Sequence, residues 1–144
     1  MKQISDLLRA KGRDIWSLTP DATVYDAIDQ MAQKGVGALL VMEESRLVGI
    51  VSERDYARKV ILKGKASRET LVREIMSSPV FCAPPDLTVE QAMTLMTAKR
   101  VRHLPIIVGQ KVVGVISIGD VVRGIIDDKE FDIQQLTKYI TGGA

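Results

Sequence analysis

Apolar and polar positions along this chain fall into two periods, and the same order of periods occurs twice. From Thr23 to Lys34 the apolar residues Val24, Ala27, Ile28 and Met31 sit at i, i+3, i+4 and i+7, one face of a helix. Thr23 precedes that run with Asp26 three places on, a capping-box start with Asp in place of Glu or Gln. In the second copy Thr88 caps, Gln91 takes the third helical position, and Val89, Ala92, Met93 and Met96 form the stripe. After each helix come two short aliphatic runs, 38 to 42 and 47 to 52, then 104 to 108 and 112 to 117. Short β-branched runs parted by a tight polar turn predict an antiparallel hairpin of buried strands. A second helix is expected over Glu53 to Leu62 and over Gly119 to Ile126, and a short strand ahead of each unit at Ile15 to Leu18 and Val80 to Ala83.

The two copies are one repeat. Shifted by 65 residues, the chain matches itself without a gap, with 14 identities in the 39 positions from Pro20 to Arg58, far above chance. Two copies are too few to cover an open solenoid, so a closed pair is expected. The predicted fold is α+β, close to α/β in its order of elements: two tandem β-α-β-β-α repeats packed with pseudo-twofold symmetry. The expected boundaries are 5–62 and 70–126, followed by a C-terminal helix and tail over 127–144, where Phe131, Ile133, Leu136 and Ile140 form an apolar stripe. The connector, 63 to 68, is short and polar, a link between packed halves more than a tether.

Composition narrows the chemistry. The chain has 144 residues and is 46% hydrophobic but only 4% aromatic, so its core must be aliphatic. Twenty Lys and Arg against 18 Asp and Glu give a net charge of +2, too balanced for binding nucleic acid by charge, and so few aromatics offer no stacking platform for single strands. The lone Cys82 and lone His103 cannot build a Cys/His zinc cluster, so no metal site is expected. With no apolar run long enough for a signal peptide or a membrane span, the expected location is cytoplasmic, away from any membrane. No nucleophile paired with a base is evident, and no enzyme is expected.

The most informative element is Gly49-Ile50-Val51-Ser52-Glu53-Arg54-Asp55, repeated as Gly114-Val115-Ile116-Ser117-Ile118-Gly119-Asp120. It reads as a buried strand ending in a hydroxyl, with a carboxylate three residues later in the first turn of a helix. Backbone N–H groups and the positive dipole end suit a phosphate there, and the carboxylate suits two ribose hydroxyls. Serine as an N-cap and aspartate placed by the same dipole also account for the pair, though capping does not call for Gly49 and Gly114. The copies also differ: Arg100, Arg102 and His103 stand where the first has Gly35, Gly37 and Ala38, and Arg54 stands where the second has Gly119. An arginine pair beside a histidine can clamp an anion, and a solvated basic turn is the plainer use of the same residues.

These motifs together, with the Thr-Val-x-x-Ala-x-x-x-Met helix, Arg102-His103-Leu104-Pro105 and the lead-in Arg73-Glu74-Ile75-Met76-Ser77, resemble tandem cystathionine β-synthase (CBS) domains, the Bateman module. The resemblance implies two clefts between the repeats for adenosine-containing ligands. By that analogy Asp55 and Asp120 hold ribose hydroxyls and Ser52 and Ser117 sit at the phosphates. Backbone near Ala38 and His103, with Ile15 and Val80, frames the adenine; Pro105 is a further candidate, and the charge difference between the copies adds Arg54 and Arg102 as candidates for a phosphate. The function implied is a non-catalytic sensor stand-alone module that requires no cofactor. It binds AMP first, with ADP, ATP or NAD(H) possible and S-adenosylmethionine less expected, and signals to an effector protein as a homodimer. The alternative is a structural or dimerisation module whose clefts are degenerate.

Overall fold

The computed structural model describes residues 2–140, and their side chains as far as Glu130 and again at Gln134. The elements run α1 (Ile4–Lys11), β1 (Ser17–Leu18), α2 (Val24–Lys34), β2 (Ala38–Glu43), β3 (Arg46–Ser52), α3 (Glu53–Tyr56), α4 (Val89–Lys99), β4 (His103–Val108), β5 (Lys111–Ser117) and α5 (Ile118–Ile140). A π-helical turn, Ala57–Ile61, continues α3, and a 3-10 turn, Val72–Glu74, follows the connector. Thr23 and Thr88 start α2 and α4 as their positions predict. Their hydroxyls accept the N–H groups of Asp26 and Gln91, each at 3.1 Å, closing one of the donors a helix start leaves open.

The chain forms two compact units. One is Ile15–Phe81; the other gathers the amino-terminal residues through Asp14 and the chain from Cys82 onward. In the first, β2 and β3 pair antiparallel and β1 adds to β2 in parallel; in the second, β4 and β5 make the matching hairpin. The two hairpins agree down to the irregularity, with a register shift at Val41/Met42 in one and at Ile106/Ile107 in the other. Both cores are aliphatic. Val24, Ala27 and Met31 of α2 bury against Leu39, Val41 and Val51, and Val89, Ala92 and Met96 of α4 against Leu104, Ile106 and Ile116.

Two elements differ from the sequence expectation. The strand ahead of the second hairpin shrinks to a bridge at Ala83, whose N–H and C=O bond Pro105 and Ile107, because Pro84 and Pro85 follow at once without an N–H to donate. Helix α5 runs unbroken from Ile118 to Ile140, since no glycine or proline stands between Ile126 and Glu130 to end it. The apolar stripe expected at Phe131, Ile133, Leu136 and Ile140 lies outside the described side chains. In the first unit, by contrast, the helix passes into its π turn and stops ahead of Gly64, which has φ 67°.

The segment that leads into each repeat is buried in the core of the unit that holds the other repeat. Helix α1 buries Ile4, Leu7 and Leu8 in the core of β4, β5 and α4, and Ile4 N–H bonds Leu87 O at 2.9 Å. The 3-10 turn does the same for the other unit, burying Val72 and Ile75 there, with Val72 N–H on Ala22 O at 2.8 Å. Each segment is seated over a strand glycine. A Cβ on Gly114 would stand 2.5 Å from Leu8 Cδ2, and one on Gly49 2.5 Å from Met76 Sδ, so both glycines serve close packing.

One cap differs between the copies. Helix α2 ends on Gly35 in the left-handed region at φ 66°, whereas α4 ends on Arg100 at φ 55°. A side chain in that conformation costs about 1 kcal/mol relative to glycine. Arg100→Gly is therefore expected to raise the thermal midpoint by a few degrees, measured by circular dichroism; an unchanged or lower midpoint would show that the arginine makes up for its backbone.

Candidate functional site

In the first unit the strand-to-helix element closes on itself. Ser52 ends β3 in extended backbone and its Oγ accepts the Asp55 N–H at 3.2 Å. Asp55 Oδ2 returns the bond, accepting the Ser52 N–H at 2.9 Å and its hydroxyl at 3.1 Å. Its other oxygen meets Lys59 Nζ at 3.2 Å, one helical turn on, and that ammonium also donates to Ile75 O at 2.9 Å. The Glu53 N–H donates to Gly37 O at 3.0 Å, just before β2. Two of the first three N–H groups of α3 are thus satisfied inside the unit. The pair is a reciprocal capping box whose aspartate is held in one orientation, 15% exposed.

The second unit repeats this geometry and adds charge. Asp120 N–H donates to Ser117 Oγ at 3.2 Å, and Asp120 Oδ2 accepts the Ser117 N–H at 2.8 Å. The Ile118 N–H donates to Arg102 O at 2.8 Å, the counterpart of the bond to Gly37. Lys11, at the end of α1, places its ammonium 2.6 Å from Asp120 Oδ2 and 2.9 Å from Val115 O. Arg123 reaches Asp120 Oδ1 at 2.8 Å. The Asp120 side chain is only 8% exposed. Burial alone pushes its carboxyl up, but the Lys11 bond, the Ser117 N–H and the Lys11 charge outweigh that and hold it below the usual carboxylate range.

His103 opens β4 and stands opposite Ser117 in the hairpin, as Ala38 stands opposite Ser52. Burial, then the charge of Lys11, then that of Arg102, lower the imidazole from its usual value, with Asp120 pulling the other way. The balance favours the neutral ring. Within the first unit, then, Ala38, Ser52, Arg54 and Asp55 gather at the ends of β2 and β3 and the start of α3. Arg54 is exposed on the first turn. Ile15 is half-buried just before β1 and Val80 half-buried near the end of the first unit. Within the second, His103, Ser117 and Asp120 cluster, exposed Arg102 adjoins them, and Pro105 is buried within β4 opposite Val115.

Lys11, Lys59 and Arg123 escape the sequence reading. Lys59 and Arg123 stand at i+4 and i+3 from their aspartates and are legible as helix pairs. Lys11 has no such mark, because 109 positions separate it from Asp120.

Among known families, the model for the CBS domain matches residues 4–62 and 72–127. The chain is 42% identical to the mitochondrial CBS domain-containing protein CBSX3 of Arabidopsis thaliana, over 97% of this chain and 72% of that protein. It is 30% identical to the CBS domain-containing protein YhcV of Bacillus subtilis, over 83% of each. Among solved structures, a putative signal-transduction protein with CBS domains from Burkholderia ambifaria superposes with a TM-score of 0.85 at 46% identity, covering 88% of this chain and 96% of that one. The CBS domain pair of protein MJ0100, solved with 5′-methylthioadenosine and S-adenosyl-L-methionine, shares the fold at a TM-score of 0.79 and 21% identity, covering 89% of this chain and 98% of its own.

Proposed function

We propose that this chain, which belongs to the CBS domain family and carries the domain twice, is a regulatory module that binds an adenosine-containing nucleotide and passes the binding on to another protein. The observation that carries the reading is the duplicated carboxylate: Asp55 and Asp120 are each pinned by a serine N–H, at 2.9 and 2.8 Å, at the end of a hairpin strand. A carboxylate fixed in orientation is a ready acceptor for a pair of vicinal hydroxyls, and binding to a preorganised group avoids the cost of ordering it. Cations gather at the second aspartate, where Lys11 and Arg123 bond one carboxylate and the charge of Arg102 acts on the neighbouring His103, and this favours a ligand that also carries phosphate. AMP is the first expectation. As the family resemblance implies, Asp55 and Asp120 face ribose, Ser52 and Ser117 the phosphate, and Ile15, Ala38, Val80 and His103 the base; the charge difference between the copies adds Arg54 and Arg102 toward phosphate, and Pro105 is a further candidate. The reading contains no catalytic step.

Millimolar AMP is expected to raise the melting temperature by several degrees, because a ligand of the folded state stabilises by mass action. Calorimetry with AMP, ADP, ATP, NADH and S-adenosylmethionine would rank the ligands. No shift with any of them would leave the structural reading, in which the domains serve assembly. One feature favours that second reading: Ile61 and Leu62 after α3, and Val122 and Ile126 on α5, are exposed aliphatic side chains, with Leu62 77% exposed. Light scattering at high micromolar concentration would then report a homodimer whether or not a nucleotide is present.

A further inference from the structure

Each aspartate of the duplicated element is met by an ammonium, but from a different part of the chain. In the first unit the ammonium is Lys59, on the same helical path as Asp55. The position equivalent to Lys59 in the second unit is Gly124, where a Cβ would stand 2.8 Å from Leu7 Cδ2, so α1 occupies the space a side chain would need. Helix α1 brings the charge instead. Its Lys11 donates both to Asp120 and to Val115 O, and its stem is anchored by the buried Ile4, Leu7 and Leu8.

We propose that Lys11 determines which ligands the second unit accepts, acting as a tethered counter-ion that favours nucleotides carrying phosphate over neutral nucleosides. The proposal rests on the nucleotide reading above and adds selectivity to it. A carboxylate offers about four acceptor directions. On Asp120 two are taken on Oδ2 by Ser117 and Lys11, and one on Oδ1 by Arg123. Arg123, 73% exposed, leaves at little cost and opens Oδ1 to a diol. Lys11 does not leave so easily. Its charge stays on the carboxylate, and a neutral diol then meets an acceptor whose charge is already answered. A ligand with a phosphate gives the ammonium a second anion to bind. Asp120 then turns its full charge to the hydroxyls, and charge-assisted bonds are about twice as strong as neutral ones.

The test compares AMP with adenosine by calorimetry in an Asp55→Asn background, which removes the first unit's carboxylate, carrying Lys11, Lys11→Met or Lys11→Arg. With Lys11 or arginine, AMP is expected to bind at least about tenfold tighter than adenosine. Methionine keeps the stem and loses the charge, so the ratio should fall to about threefold or less, adenosine gaining and AMP losing. A ratio unchanged in Lys11→Met, with binding intact, overturns the role of Lys11 alone. If neither compound binds any of these proteins or the wild type, the nucleotide reading falls and this inference with it. Melting curves without ligand confirm that each variant is folded, and the arginine variant separates charge from packing.

Discussion

Leu8→Ala is expected to destabilise the second unit by about 3 kcal/mol or more, although Leu8 lies in the segment that leads into the first repeat. The residue is 1% exposed, and it fills the hollow over Gly114, where no side chain from β5 can replace it. Truncating a buried leucine removes its transfer free energy and leaves a cavity, together worth about 2–5 kcal/mol. The upper part of that range applies where the walls cannot collapse, and here α1 packs against the paired strand β5 and the long helix α5. Hydrogen exchange locates the effect. Protection should fall at Leu104, Ile106 and Ile116, which share a core with Leu8, while Leu39, Val41 and Val51 belong to the other core. Leu62→Ala, at a side chain 77% exposed, is the control and should stay within about 0.5 kcal/mol. If exchange rises first in β2 and β3, or if Leu8→Ala matches its control, then α1 does not belong to the second unit's core.

That expectation marks the boundary of what the sequence made legible. Local rules carried far: Thr23 and Thr88 cap their helices, the α2 and α4 stripes bury the faces their spacing predicts, and the two hairpins share one register because the repeat shares one pattern. Ser52 with Asp55 and Ser117 with Asp120 were readable as pairs, since a three-residue spacing at a helix start leaves few other partners. The exchange of lead-in segments was not readable. Ile4, Leu7 and Leu8 make a stripe only one turn long, and a stripe says that a face is buried without saying against what. Lys11 was hidden for the same reason: its partner is chosen by where α1 packs, and its charge resembles any lysine at a helix end. The proline stop after Val80 to Ala83 was legible, but not that the strand before it shortens to a single bridge at Ala83, which depends on how the chain meets β4.

Asp120→Asn is expected to cost about 2–3 kcal/mol at pH 7, and the cost should shrink as the solution is made acid. Bonds between a charged group and its donors contribute about 1.5–3 kcal/mol each when buried. Here Lys11 is 40% and Arg123 73% exposed, so the Lys11 and Ser117 bonds dominate and Arg123 adds little. The sign follows from the depressed carboxyl. An unfolded chain takes up a proton near 3.8, whereas the folded Asp120, held down by Lys11 and Ser117 against the upward push of burial, takes it up only at lower pH. Its contribution is therefore complete above the unfolded value and drains away as pH falls through the folded one. His103 acts in a separate window. Burial and the charges of Lys11 and Arg102 lower its imidazole, so the unfolded chain binds a proton near 6.5 before the folded one does, and stability begins to fall there. Urea unfolding of the wild type should show two acid steps; His103→Gln should lack the upper and Asp120→Asn the lower. Asp6, also lowered by the Gln3 N–H and by Arg9, lies at the surface and leaves a small residual slope in both variants. A gap between wild type and Asp120→Asn that stayed constant from pH 7 to pH 3 would mean that the asparagine fails for want of shape alone. The pairing of Lys11 with Asp120 would then contribute nothing to folding, and α1 would be held by its apolar face.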